Sequence, residues 1–319
     1  MRTAVVLFNL GGPDSLDAVK PFLRNLFSDP AIIALPAVLR WPLAHLIAGR
    51  RAAKARSIYA QIGGASPIVG QTQMQAQALQ EALVPMGDSW DEWKCFVCMR
   101  YWHPMTHAVV QRVRRFAPER IVLLPLYPQF STTTTGSSFK AWDAAVARLG
   151  AMTRRVKSYP VEPGFIAASV ELVKQGLAEA NAAGAQPVRV LFSAHGLPEK
   201  IIRAGDPYQG QVEQTAKAIA EQLGASIDWS VCYQSRVGPL KWIGPSTESE
   251  IRRAATDRKA IVLYPLSFVS EHSETLVELD IDYRKLAAEA GVPTYVRVPT
   301  VGTHPQFIEG LARLVRDAL

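Results

Sequence analysis

The sequence predicts an α/β protein made of two similar domains, each a four-stranded parallel sheet flanked by helices. Three observations predict it. Short apolar runs of strand length, bounded by turn residues, alternate along the 319 residues with segments of helical period, which is the pattern of a parallel sheet covered on both faces. Runs such as Ile121-Val122-Leu123-Leu124 and Ile261-Val262-Leu263 are continuously apolar, as strands buried on both sides are. The chain also repeats itself in order. Val6-Leu7-Phe8 before Gly12-Pro13 lines up with Val190-Leu191-Phe192 before Gly196-Leu197-Pro198, Cys98 to Pro104 with Cys232 to Pro239, and Ile121 to Leu126 with Ile261 to Leu266.

Taken in order, strands are expected near 4–10, 93–100, 120–126 and 154–159 in the first half, and near 188–194, 229–234, 260–266 and 294–298 in the second. Helical segments are expected over 71–84, 104–116, 138–149, 164–183, 207–223, 245–256, 273–290 and 304–318. The boundary falls near 165, giving domains 1–165 and 166–319. The halves differ in one place: the connection between the first two strands is more than twice as long in the first half, with the excess at about 28–70. An insertion there lies at a strand's carboxyl end, where open α/β sheets bind ligands. It reads either as a lip over an apolar ligand or as a surface helical hairpin.

Composition narrows the class. Hydrophobic residues make up 48% and charged residues 20%, which is normal for a folded globular chain. The net charge of +7 is compatible with nucleic acid, an anionic membrane or an anionic substrate and does not choose among them. Its densest run, Arg50, Arg51, Lys54 and Arg56, follows the apolar stretch 31–48. A solvated helix face is one reading; peripheral contact of 31–56 with an anionic bilayer is the other. That stretch is broken by Pro36, Arg40 and Pro42, and nothing approaches the ~20 apolar residues of a spanning helix. The first apolar run is too short for a signal peptide. The expected location is the cytoplasm, at most peripheral to the inner face of its membrane. Cys95, Cys98 and Cys232 make no disulfide framework, and Cys95-x-x-Cys98 has no partner pair for zinc.

Two segments carry chemistry. Ser193-Ala194-His195-Gly196 ends a buried strand, so His195 points into the mouth of the sheet, as a proton acceptor or metal ligand or as a hydrogen-bonded structural residue. Phe268-Val269-Ser270-Glu271-His272-Ser273-Glu274-Thr275 ends another strand. A helical turn there puts Glu271 and Glu274 on one face. Two acids and a histidine suit proton relay or a divalent cation; Ser270 capping a helix with acids in its first turn is the structural alternative. Ser131 to Ser138 is a hydroxyl-rich loop that lacks the lysine of a P-loop.

In this order the motifs resemble those of the ferrochelatases. They are Asn9 to Pro13, Ile62 to Pro67, Arg100-Tyr101-Trp102-His103-Pro104, Tyr127-Pro128-Gln129, Thr134 to Ser138, Ser193 to Pro198, Gln234 to Pro239 and Glu271 to Thr275, and they span nearly the whole chain. The resemblance implies two Rossmann-like, chelatase-type halves with an active-site cleft between them. It implies insertion of Fe²⁺ into protoporphyrin IX in haem biosynthesis, with His195, Glu274, Glu271 and His272 as catalytic residues and His195 and Glu274 as metal donors. Leu10, Arg100, Tyr101, Tyr127, Trp242 and Phe268 match cleft-lining positions, and Arg51, Lys54 and Ser235 match positions near the propionates or the rim. Leu10 stands where relatives often carry Met, and Glu271 where many carry Asp. Thr132 replaces the internal cluster cysteine of the animal enzymes, and the carboxyl-terminal extension is missing, so no [2Fe–2S] cluster and no permanent cofactor are expected. The partners implied are porphyrin and Fe²⁺, not nucleic acid, and a monomer is the expected state. The alternatives are a chelatase for coproporphyrin or another metal, and a non-catalytic haem or metal carrier.

Overall fold

The computed structural model describes residues 1–84, 91–146, 150–185, 187–236 and 238–319. Residues 147–149, the end of one expected helix, and Val237 of the Gln234 to Pro239 motif lie outside them. The chain groups into two compact units, Met1–Ser158 with Leu311–Leu319, and Tyr159–Gly310.

Each unit is built on one sheet, and the two sheets share one plan. In the first unit β1 (Arg2–Asn9), β2 (Glu92–Met99), β3 (Arg120–Pro125) and β4 (Met152–Arg155) pair in the order β2-β1-β3-β4, all parallel. In the second, β5 (Val188–His195), β6 (Asp228–Gln234), β7 (Ala260–Pro265) and β8 (Tyr295–Arg297) pair as β6-β5-β7-β8, again parallel. The register corrects the sequence repeat by one residue: Phe8 lies opposite Cys98 and Pro125, and its counterpart opposite Cys232 and Pro265 is Ser193 rather than Phe192. Ala4 to Leu7, Ile121 to Leu124 and Ile261 to Tyr264 are wholly buried, which is why these strands read as unbroken apolar runs. β4, expected at 154–159, is short and exposed at the sheet edge, where charged ends such as Arg154 and Arg155 discourage further pairing.

Helices cover the sheets: α3 (Ile68–Leu83), α4 (Thr106–Phe116) and α5 (Thr135–Ala145) in the first unit, and α6 (Pro163–Ala182), α8 (Tyr208–Leu223), α9 (Thr247–Thr256) and α10 (Tyr283–Ala290) in the second, with the short α7 (Glu199–Arg203) after β5 and α11 (Pro305–Asp317) last in sequence. In a 2-1-3-4 order the winding reverses between the first and third strands, and ligands bind outside their carboxyl ends. Those ends carry Leu10 and Tyr127 in one unit, and His195 with the segment 266–274 in the other.

Two helical features depart from expectation. The insertion holds α1 (Val19–Phe27) and α2 (Ala37–Ala60), and α2 runs through Pro42 rather than breaking there. The proline forfeits one bond, to the Val38 carbonyl, and Val38 is 80% exposed, so water can serve that oxygen. Ala44, Ala48 and Ala52, at helical spacing, are buried, the first two packing on Val19, Phe22, Leu23 and Phe27 of α1. The helix expected over 273–290 is a π-helix over Glu274–Asp282 that passes into α10. Among the described residues no helix is long and apolar enough to cross a membrane.

Candidate active site

In the second unit the strand ends bring four polar side chains into one chain of contacts. His195 is the last residue of β5. Gly196 then lies so close to the neighbouring strand that a Cβ would meet the Gln234 carbonyl at 2.8 Å; it is close approach that requires glycine here. Glu274 opens the π-helix beyond β7. His195 Nδ1 and Glu274 Oε2 are 2.8 Å apart. The same carboxylate oxygen accepts from Ser235 Oγ at 3.1 Å. Ser235, just past β6, has a left-handed backbone at φ 57°, an unusual conformation for a non-glycine residue. That turn aims its amide at Glu278 Oε1, 2.8 Å away, and puts its hydroxyl in contact with Glu278 Oε2. Tyr283 donates to Glu278 at 3.0 Å.

The electrostatics separate the two acids. Burial works against the imidazolium of His195, but the Glu274 charge and hydrogen bond, with Glu278 behind, outweigh it and raise the histidine's pKa. Burial likewise opposes the Glu274 carboxylate, yet His195 above all, then His272 and Ser235, hold it down at about 2. Glu278 is pushed up, by burial and then by the Glu274 charge. The site is therefore an ionised acid against histidine, with a second acid of higher proton affinity one turn on. With Nδ1 turned to Glu274, the Nε2 lone pair of neutral His195 is the one free to take a proton or a metal.

Glu271 is not part of this chain. It precedes the helix, so the shared helical face expected for Glu271 and Glu274 does not form. Its Oε1 is 2.6 Å from Arg297 Nη1 and accepts the Thr300 amide at 3.0 Å, while Thr275 Oγ1 contacts Oε2. His272 is buried and turns Nδ1 to the Glu274 amide at 3.1 Å. Burial lowers its pKa. The His272 amide donates to Thr275 Oγ1, and the N-cap position of the π-helix is Ser273 rather than the expected Ser270. Phe268 lies edge-on to the His272 ring at 4.5 Å. Trp242 bridges to Pro198, just after Gly196.

The first-unit residues gather around the insertion. Leu10 and Tyr101 share the apolar cluster of α1 and α2, and the Leu10 carbonyl accepts the Tyr101 amide. Arg100 lies over the Tyr101 ring, 4.9 Å from its centroid. Its Nη2 meets Asp29 Oδ2 at 2.7 Å, and its Nε donates to Ser137 at 2.7 Å. A cavity of about 300 Å³ opens beside Asp29, Arg100, Ser137 and Lys140. Tyr127 packs on the core of β1, β3 and α5. Arg51 and Lys54 stand exposed on α2, Arg51 over Phe27.

Sequence reasoning passed over Glu278 and Asp29. Glu278 had a signal, a second acid four residues beyond Glu274. Asp29 had none, since its side-chain partners lie 71, 72 and 108 residues away, two just after β2 and one in the first turn of α5. Among the described residues no group of three or more His, Cys, Asp or Glu side chains is placed to hold a metal ion.

A sequence model of the ferrochelatase family matches residues 2–319. The chain is 55% identical over 318 residues to a ferrochelatase of Caulobacter vibrioides, covering 100% of this chain and 90% of that one. It is 50% identical to those of Phenylobacterium zucineum (100% and 92% covered) and of a Wolbachia from Drosophila simulans (98% and 98%). Among solved structures, SirB from Bacillus subtilis with Fe³⁺ superposes at a TM-score of 0.57 with 12% identity, covering 100% of this chain and 96% of that one. A sirohydrochlorin chelatase SirB with cobalt reaches 0.51 at 13% identity, with 100% and 95% covered. These two likenesses carry the fold.

Proposed function

We infer that this chain, which belongs to the ferrochelatase family, is a lyase of haem biosynthesis that inserts ferrous iron into a porphyrin, and that the porphyrin is protoporphyrin IX. The observation that carries the chemistry is the hydrogen-bonded pair of His195 and Glu274 at the strand ends, backed by Ser235 and Glu278. Metallation exchanges Fe²⁺ for the two pyrrole N–H protons. In this reading His195 Nε2 accepts a pyrrole proton, and ionised Glu274 stabilises the imidazolium as it forms. Favouring that charged state over the starting one is differential stabilisation. Glu278, with its raised proton affinity, receives a proton next, relayed from His195 Nδ1 through the Glu274 carboxylate and the Ser235 hydroxyl, which leaves His195 neutral again. Leu10, Tyr101, Tyr127, Trp242 and Phe268 provide apolar and aromatic contacts for the macrocycle, and Arg51 and Lys54 provide charge for its propionates. The experiment is anaerobic metallation by the purified protein with Fe²⁺ and either protoporphyrin or coproporphyrin. Faster turnover of protoporphyrin is expected. A preference for coproporphyrin sinks the narrower reading, and no metallation of either sinks the whole.

The cysteines support a chain without a cysteine-held iron–sulfur cluster. Cys95 and Cys98 lie on β2 and Cys232 on β6, and burial pushes each thiol up to about 12, whereas cluster ligation needs thiolates. An absorption spectrum of the purified protein without cluster bands is the check. The exposed side chains of α2 support a peripheral membrane contact: Val38, Leu39 and Trp41 are exposed about two and a half to four and a half turns before Arg50, Arg51 and Lys54, a combination that suits an anionic interface. Flotation with acidic liposomes is expected, and failure to float at low salt rejects the contact.

A further inference from the structure

Asp29 sits in the insertion just past α1, where its carboxylate is almost wholly buried. A buried carboxylate is costly unless it is paired and its lone pairs are filled, and here they are. Oδ1 accepts the Ala31 amide at 2.8 Å. Oδ2 accepts Arg100 Nη2 at 2.7 Å, the Tyr101 hydroxyl at 2.8 Å and the Ser137 hydroxyl. Ser137 in turn accepts from Arg100 Nε, so carboxylate, guanidinium and serine close a ring. The donors arrive from two other places: Arg100 and Tyr101 follow β2, and Ser137 lies in the first turn of α5. Asn25 of α1 reinforces the join, donating to the Tyr101 carbonyl at 3.0 Å.

Two consequences follow for Arg100. Its Nε and Nη2 are committed, and no described residue takes Nη1. Its plane is held over the Tyr101 ring. A guanidinium fixed at two of its nitrogens loses little freedom when it meets a ligand.

We propose that Asp29 is a positioning residue for porphyrin binding, holding the Arg100 guanidinium and the Tyr101 ring in place from within the insertion. The inference rests on the reading of Arg100 and Tyr101 as substrate contacts. Asp29 touches no substrate atom, so its loss raises KM for the porphyrin by about tenfold, the equivalent of ~1.4 kcal/mol, and leaves kcat near the wild-type value.

The test is steady-state metallation by the full chain of wild type, D29N, R100A and the double variant, with melting curves for each. A loss of Asp29 felt only as instability lowers the folded fraction and so the apparent kcat, with KM unchanged; that outcome overturns the proposal. The expected result is a raised porphyrin KM in D29N and a smaller, less than additive rise when D29N is added to R100A, where of the two positioned side chains only Tyr101 is left, because neighbours acting through one another are not additive. Additive effects overturn it. If D29N does not fold, S137A removes the bridging hydroxyl from the same ring and is expected to raise KM by about threefold, less than a full charge-assisted bond. An unchanged KM in S137A then overturns it. Wild-type protein that metallates no porphyrin instead removes the functional reading on which the proposal stands.

Discussion

Asp29 in the first unit and Glu274 in the second both collect side chains from beyond the carboxyl ends of strands, on sheets of identical order, yet they are held in opposite ways. Asp29 meets one guanidinium, two hydroxyls and an amide, and its charge is matched. Glu274 faces a histidine that is 38% exposed, and through Ser235 it faces a second carboxylate rather than a counter-ion. A matched, saturated carboxylate fixes geometry. An acid pair with one histidine has protons to move. In the proposed reading, acids in different connections of one plan, Asp29 after β1 and Glu274 after β7, thus serve positioning in one unit and chemistry in the other.

The comparison breaks first at His195. His195→Ala is expected to lower metallation of protoporphyrin by Zn²⁺ or Fe²⁺ by ~10²–10⁴-fold, the range lost with a general base, while the melting temperature stays close to wild type. Near-normal kcat in the folded variant removes His195 from the chemistry. Glu278→Gln is the next largest, a loss of ~10–100-fold, as for a supporting partner of a reactive centre. If Glu278→Gln instead raises KM alone, the two units differ less than their charges imply.

The charge pattern also sets a pH signature. The Glu274 pKa, held at about 2, lies below the ~4.3 of an unfolded glutamate, so its contribution to stability is present above that value and is lost as the pH falls towards 2. The His195 pKa is raised, so its contribution is complete below the unfolded value of ~6.5 and is lost as the pH rises through the folded one. The pair therefore stabilises most between ~4.3 and ~6.5. In Glu274→Gln the burial that opposes the imidazolium is left with less to offset it, and the His195 pKa should fall. Titration of the histidine ring by NMR reads this directly, and an unchanged value in Glu274→Gln contradicts the pairing. As His195 must be neutral to accept a proton, the acid limb of kcat/KM should lie above ~6.5 in the wild type.

Much of this was legible in the sequence, because its physics is local or repeated. Burial on both faces makes runs such as Ile121–Leu124 and Ile261–Leu263 unmistakable, and the ordered repeat of Pro125-Leu126 and Pro265-Leu266 gave two sheets of one plan. The position of His195 followed from its place after an unbroken apolar run. The π-helix did not follow, since Glu274 to Asp282 carries no residue that widens a helix; its start is set by His272 and Thr275 bonding backbone amides. Helix α2 was hidden by Pro42, whose cost depends on whether water reaches one carbonyl. Asp29 was invisible because its meaning lies wholly in distant partners.

The sharpest form of the contrast lies within three residues of the second unit. Glu271 and Glu274 read alike in the sequence, but Glu271 is held by Arg297, Thr300 and Thr275, which makes it a counterpart of Asp29 rather than of Glu274. With Glu271 and Arg297 side chains only 12% and 10% exposed, removing the Glu271 charge leaves the buried guanidinium with the longer contact to Asp280 Oδ2, at 3.5 Å. Glu271→Gln is therefore expected to destabilise the fold by about 3 kcal/mol, read by urea unfolding, while folded protein keeps kcat within a few-fold of wild type. A Glu271→Gln protein of normal stability and abolished kcat would place Glu271 with Glu274 in the proton chain, and the division between acids that hold and acids that react would then fail at its closest pair.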